Sequence, residues 1–392
     1  MAGAAPRSRR CPASRPSRIA RSQRRLGERS FTRHYNGGHE PHPARGRGTG
    51  LSPDNRYAAH TREAQDDGWP AGDDETVAPR TVITLQPAKS IVSRNQSPDL
   101  RFTQSINPYQ GCEHGCIYCY ARPSHAYWGY SPGLDFETRI VAKPNAAALL
   151  RAELARPGYR VAPICIGSNT DCYQPAEREL KLTRAVLEVL AETRHPTMLL
   201  TKNALIERDI DLLSDLARDK LVQVMVSVTT LDRELARRME PRASQPLRRI
   251  ETIGALAAAG IPVGVLAAPM IPALNDHELE RILEASAAAG AGTAGYVLLR
   301  LPYELKTLFE DWLAQHYPLK RDHVLSVLRQ MRGGQDNDAR FGKRMRGEGA
   351  FADLLSHRFR LARQRLGLAR ASVELDESRF RRPVDHPQYE LF

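Results

Sequence analysis

From about residue 100 onward, short apolar runs alternate with stretches of helical periodicity. Phe102–Asn107, Val161–Gly167, Thr197–Lys202, Val222–Thr229, Pro262–Ala267 and Tyr296–Leu301 read as strands. Residues 145–155, 177–193, 205–218, 246–259 and 276–289 read as helices between them. In the second of these, Leu180, Val186, Leu187 and Leu190 fall on one stripe, and Gly260 and Gly290 follow the last two as stop signals. Alternation of this kind predicts an α/β fold with parallel strands covered by helices. Six units are too few for a closed eight-stranded barrel, so the expectation is a partial (β/α)6 TIM-like barrel, open on one side.

The pattern differs at both ends. After residue 303 three helical stretches (303–316, 322–331 and 351–368) enclose a loop rich in Gly, Asp, Asn and Arg, residues 332–349. The first 80 residues lack hydrophobic periodicity and are rich in Arg, Ser, Pro, Gly and His. Such a segment buries too little apolar surface to offset its ordering entropy. The boundaries are therefore a disordered Arg-rich tail over 1–80, a core over 98–305 and a helical extension over 306–392. An Arg-rich start loosely fits an organelle transit peptide, but Pro12 and Pro16 break an amphipathic helix, and no apolar run marks a secretory signal.

Charge changes this picture less than its size suggests. The chain has 392 residues and a formal net charge of +12, a balance that invites a nucleic-acid-binding reading. Residues 1–50 hold 12 Arg against Glu28 and Glu40, whereas residues 81–318 hold 26 basic and 26 acidic side chains. Residues 319–392 add 16 basic against 10 acidic. The charge sits at the ends. No run approaches the roughly 20 apolar residues of a membrane span.

Candidate chemistry lies in the cysteines. Cys112, Cys116 and Cys119 form a C-x3-C-x2-C array after the first strand, where barrels place their chemistry. Disulfides fit poorly in a chain of this kind. Structural zinc wants a fourth ligand, which His114 or His125 would supply. Three thiolates at this spacing also suit three irons of a [4Fe–4S] cluster, leaving one iron open for a substrate or cofactor. Gly111 and Gly115 mark a loop rather than a packed apolar face.

The array, with Tyr118 before its last cysteine, resembles the signature of the radical S-adenosylmethionine superfamily over roughly residues 98–305. The Tyr118-Cys119-Tyr120 triplet, the Ser168–Asp171 turn, Met239–Arg242 and Gly260–Pro272 resemble the spore photoproduct lyase-like branch of it. Loop 332–349 resembles uncharacterised bacterial relatives of that branch. The likeness implies a cluster on Cys112, Cys116 and Cys119, with its open iron chelating S-adenosylmethionine. Reductive cleavage then gives a 5′-deoxyadenosyl radical that abstracts a substrate hydrogen. A flavodoxin- or ferredoxin-type electron donor and a reducing bacterial cytoplasm follow from that chemistry.

Other residues are placed by the same likeness. Tyr118 would lie against the adenine. Ser168, Asn169 and Asp171 occupy the place of the amino-group binding motif, although Asp171 also reads as a helix cap. Lys202 and Ser227 match cofactor-contacting positions. Alternation sets Ser227 on the barrel interior, opposite Val224, Val226 and Val228. Glu240 and Arg242 read as an ion pair shaping the site. The branch carries a hydrogen-donating cysteine where this chain has Ser168, whose O–H bond is too strong for that role. Cys172 is then the candidate donor, with Tyr120 as a second catalytic candidate, while Cys165 reads as packing. Modified or damaged nucleic acid is the first substrate candidate. The alternative is a non-catalytic iron–sulfur redox or sensor module with basic partner-binding ends.

Overall fold

The computed structural model describes residues 46–58, 79–368 and 374–383. Its ten strands, in chain order, are β1 (Val82–Leu85), β2 (Val92–Arg94), β3 (Gln104–Ile106), β4 (Tyr109–Gln110), β5 (Arg139–Ala142), β6 (Ile164–Ile166), β7 (Thr197–Thr201), β8 (Val222–Ser227), β9 (Val263–Met270) and β10 (Thr293–Leu298). Seven form one sheet in the order β10-β9-β8-β7-β6-β3-β2. All its pairs are parallel except β2 with β3. The six parallel strands are the expected units of a partial barrel, with helices packed on the outer face.

Register decides which side chains face inward. Val222, Val224, Val226 and Val228 point into the helix-covered core, as do Val263, Val265 and Ala267. Their neighbours Met225, Leu266, Ala268, Thr293 and Gly295 are only partly covered and line the open interior.

Three expectations change. The last strand begins at Thr293 rather than Tyr296, because Thr293, Ala294 and Gly295 pair with Gly264, Val265 and Leu266. The helix expected over 177–193 is two, Glu177–Leu180 and Leu182–Glu192, broken at Lys181 with φ 52°. The buried Glu177 carboxylate turns back to accept from Thr183 N (3.0 Å), capping the second helix. Finally, residues 46–58, assigned to the disordered tail, pack on the core with Arg47, Gly48 and Thr49 buried. The other tail residues, 1–45 and 59–78, lie outside the described residues.

The second sheet, β1-β5-β4, was not anticipated. Strands of two to four residues leave no periodic pattern to read. Nor was the position of loop 332–349. Leu298 N donates to Met345 O at 2.9 Å. On the far side Arg344 Nε meets Asp99 Oδ2 at 2.5 Å, and Gly342 N meets Asp99 Oδ1 at 2.7 Å. The loop thus straps the edge strand β10 to the turn joining β2 and β3, across the open side of the barrel. Among the described residues no helix is long and apolar enough to cross a membrane.

Candidate active site

Cys112, Cys116 and Cys119 lie in the loop between β4 and a 3-10 helix, Arg122–Trp128. The loop turns at Gly111 (φ 78°) and Gly115 (φ 67°), in the left-handed region that favours glycine. At Gly115 a Cβ would also stand 2.5 Å from Glu137 Oε2. The loop's carbonyls are gripped from beneath by Arg122. This fully buried guanidinium donates to Cys116 O (2.9 Å), Gly115 O (3.1 Å) and Gly133 O (2.9 Å), and pairs with buried Glu137. Glu137 in turn accepts from Gly48 N at 2.8 Å, so the segment before the core reaches the cysteine loop. Gln174 ties Glu113 N and Gly111 O (2.9 and 3.2 Å), and Ile117 N donates to Met239 O. None of Arg122, Glu137 or Gln174 carries a sequence signal beyond being a charged or polar residue that turns out to be buried.

The donor set fits an iron–sulfur cluster. All three thiols are free, and Cys112 and Cys116 are buried. Burial pushes both thiols well above the usual range, and Asp171 and Glu240 respectively add to it. Bound iron would supply the positive charge that makes them thiolates. No three Cys, His, Asp or Glu among the described residues are gathered as around a single ion. A cuboidal cluster asks for something else, one thiolate on each of three irons.

The inner face beside the loop holds two polar groups without partners among the described residues. Ser227 Oγ is buried and makes no hydrogen bond, while its carbonyl is held by Arg249 at 3.1 Å. Lys202 Nζ makes no hydrogen bond or ion pair among the described residues and lies 6.0 Å from the Tyr118 ring centre. An unsatisfied buried hydroxyl is costly, so a ligand group here would relieve it. These atoms fit a polar, carboxylate-bearing cofactor such as S-adenosylmethionine.

Other candidates are placed differently from expectation. Asp171 accepts from Thr201 Oγ1 (2.8 Å), Tyr173 N (2.9 Å) and Lys202 N (2.8 Å), with His114 Nδ1 at 3.4 Å. Burial alone would raise its pKa, yet His114 and these donors hold it well below the carboxylate range. Three protein donors take up most of its acceptor capacity, so Asp171 is a structural node joining the ends of β6 and β7. Asn169 N is held by Asn107 (3.0 Å), and Ser168 O accepts from Tyr120 Oη. Glu240 pairs with Arg249, not Arg242, and also accepts from Tyr118 Oη and Thr229. Arg242 instead meets Glu113 at 3.3 Å. Cys172 is wholly buried, its thiol directed at Leu200 O (3.9 Å) and raised in pKa by burial. It does not reach the interior as a hydrogen donor would. Cys165 does share the inner face with Met198, and burial pushes its thiol up to about 12.

The fold and cysteine loop define a partial α/β barrel built around a three-thiol site. Residues 106–285 match the model of the Radical SAM superfamily. Structures of spore photoproduct lyase superpose with a TM-score of 0.53 at 15% identity, covering 72% of this chain and 79% of theirs. One such structure holds AdoMet and a dinucleoside spore photoproduct. Residues 106–285 are thus similar to the Radical SAM superfamily, and the fold is like that of spore photoproduct lyase. An uncharacterized protein of Mycobacterium tuberculosis is 40% identical over 221 residues, 56% of this chain and 65% of that protein. One of Methanocaldococcus jannaschii is 27% identical over 231 residues, 59% of this chain and 82% of that protein. The chain spans about two-thirds of the mycobacterial relative's length, at 65%.

Proposed function

We propose that this protein is a radical S-adenosylmethionine enzyme that abstracts a hydrogen atom from a nucleic-acid substrate. The observation carrying the enzyme reading is the conjunction of the three-thiol loop with the Ser227 hydroxyl and Lys202 ammonium on neighbouring strand ends, both without hydrogen-bond partners among the described residues. When bound there, a reduced [4Fe–4S] cluster would supply the electron for reductive cleavage of S-adenosylmethionine. The chain's own residues position and shield. Cys112, Cys116 and Cys119 would hold three irons. Arg122 and Glu137 fix the loop that carries them. Lys202 would meet the cofactor carboxylate and Ser227 a further polar group. Tyr118, clamped by Glu240, has a fixed ring for the adenine to lie against. The strap 332–349 covers the side of the barrel, limiting water and oxygen access.

The nucleic-acid reading is supported by the lyase-like fold and by the surface described below. The test is deuterium transfer: oligonucleotides deuterated at thymine methyl or sugar carbons are incubated anaerobically with reduced, reconstituted protein and S-adenosylmethionine. Deuterium in 5′-deoxyadenosine identifies the abstracted position; its absence from every labelled nucleic acid, with cofactor cleavage intact, would overturn the substrate class. The rival reading, a redox or sensor module, predicts a reducible cluster and no 5′-deoxyadenosine at all.

A further inference from the structure

Exposed aromatic rings gather beside the cysteine loop, some of them where residues 55–57 dock on segment 123–130. Tyr127 and Tyr303 are each 74% exposed, Tyr57 57% and Tyr120 47%. Tyr57 and Tyr127 stack with ring centres 5.2 Å apart. Arg56 lies 4.2 Å from the Tyr303 ring centre and 5.2 Å from that of Tyr57, anchored by Glu304 and Pro123 O. Arg300 lies 4.8 Å over Tyr120. The two groups are carried by the same short segments, 120–127 and 300–303.

Two features mark this surface as built for a ligand. Tyr303 holds a φ of 52°. A bulky residue pays roughly 1 kcal/mol or more in this region, and here the cost sets a ring in solvent rather than in the core. Arg300, at the end of β10, makes no hydrogen bond or ion pair among the described residues. Its charged neighbours are Arg344, already committed to Asp99, and Asp99 itself. Behind it the buried Arg332 donates only to carbonyls, Leu299 O at 2.6 Å and Lys343 O at 3.0 Å among them.

Resting on the nucleic-acid reading above, we propose that this aromatic–arginine surface binds single-stranded nucleic acid, its tyrosines stacking on unpaired bases and Arg300 contacting a backbone phosphate. Exposed π faces interleaved with guanidinium groups suit base stacking without base-edge readout. A duplex keeps its bases stacked on one another and offers these rings nothing. The strand to be attacked is thus held open at the barrel mouth next to the cysteine loop.

The probe is a fluorescein-labelled twelve-residue oligothymidylate, bound to the full-length protein under anaerobic conditions and followed by anisotropy. Tyr127→Ala and Tyr303→Ala should each weaken binding by about 5- to 100-fold, the range of a lost base–aromatic stack. Tyr127→Phe and Tyr303→Phe, which keep the π face, should bind within about twofold of the original chain. Arg300→Ala should weaken binding and make the slope of log affinity against log salt shallower by about 0.7, one single-strand phosphate contact. Leu319→Ala, exposed elsewhere, should change nothing. Tm values of all variants check their folding. Binding that is absent, insensitive to Tyr→Ala, equally lowered by Tyr→Phe, or no weaker for the matching duplex would overturn the proposal. 5′-Deoxyadenosine formation by the original chain, measured without nucleic acid, tests the enzyme reading separately, so either can fail alone.

Discussion

Asp171 shows how a residue's partners decide its role. Its carboxylate takes three hydrogen bonds from the protein and faces His114, joining the cysteine loop to the ends of β6 and β7. Asp171→Asn replaces an acceptor with a donor at a buried site, so unfolding free energy should fall by about 2 kcal/mol in urea titrations. An ammonium ligand would behave otherwise, with stability unchanged and cofactor affinity lost. Ser227→Ala offers the mirror case. It removes an unsatisfied buried hydroxyl, so the chain should unfold no more easily, while S-adenosylmethionine binding measured by calorimetry should weaken several-fold. At this scale the three cysteines were legible because their spacing is itself the chemistry. Asp171, Glu240 and Cys172 were misplaced because sequence shows a residue's type and neighbours along the chain, and not who reaches its oxygens or sulfur.

At the scale of elements, residues 46–58 act as part of the cysteine loop's support. Gly48 lies so close to Gly115 that a Cβ would stand 1.8 Å from its carbonyl oxygen, and Arg47 donates to Glu137 O at 2.9 Å. Removing residues 1–45 should leave iron and sulfide content per chain unchanged, whereas removing residues 1–58, or Gly48→Ala alone, should lower it. Full iron content in the 1–58 deletion would show that this segment is dispensable. A second clamp holds the far end. His195 sits buried between Tyr159 (2.8 Å), Pro196 O (2.9 Å) and the Phe380 ring (5.4 Å), the last from residues 374–383. Burial lowers its pKa to about 4 against 6.5 for the free side chain. The unfolded chain therefore binds the extra proton between those values, and stability falls as pH drops through that window. Between pH 7 and 5 this costs about 2 kcal/mol. The drop in urea midpoint over that range should shrink in His195→Gln; an equal drop in both proteins would remove His195 as its source.

The whole molecule was the most legible level in one respect and the least in another. Six parallel strands with helices between them follow from hydrophobic periodicity, and the register that turns Ser227 inward follows from the valines alternating with it. The strap across the barrel's open side left no such trace, because a loop of Gly, Asp, Asn and Arg is held by contacts distant in sequence, such as Arg344 with Asp99. Charge also reads differently in three dimensions. Part of the basic excess after residue 319 is paired with acids elsewhere in the chain, Arg358 with Glu280, Arg365 with Glu284 and Arg344 with Asp99. Net charge therefore says little about a partner, and Arg300, over the exposed Tyr120 ring and without an ion pair among the described residues, says more.

In the function proposed above, Cys112, Cys116 and Cys119 hold a cluster with one open iron that cleaves S-adenosylmethionine. The most direct measurement is 5′-deoxyadenosine formed per chain after anaerobic reconstitution and dithionite reduction, with the original protein and with each cysteine changed to alanine. Product is expected from the original chain and from Cys165→Ala, and none above background from Cys112→Ala, Cys116→Ala or Cys119→Ala. A reconstituted, reducible cluster that forms no 5′-deoxyadenosine, or product that survives loss of any of the three, would contradict it.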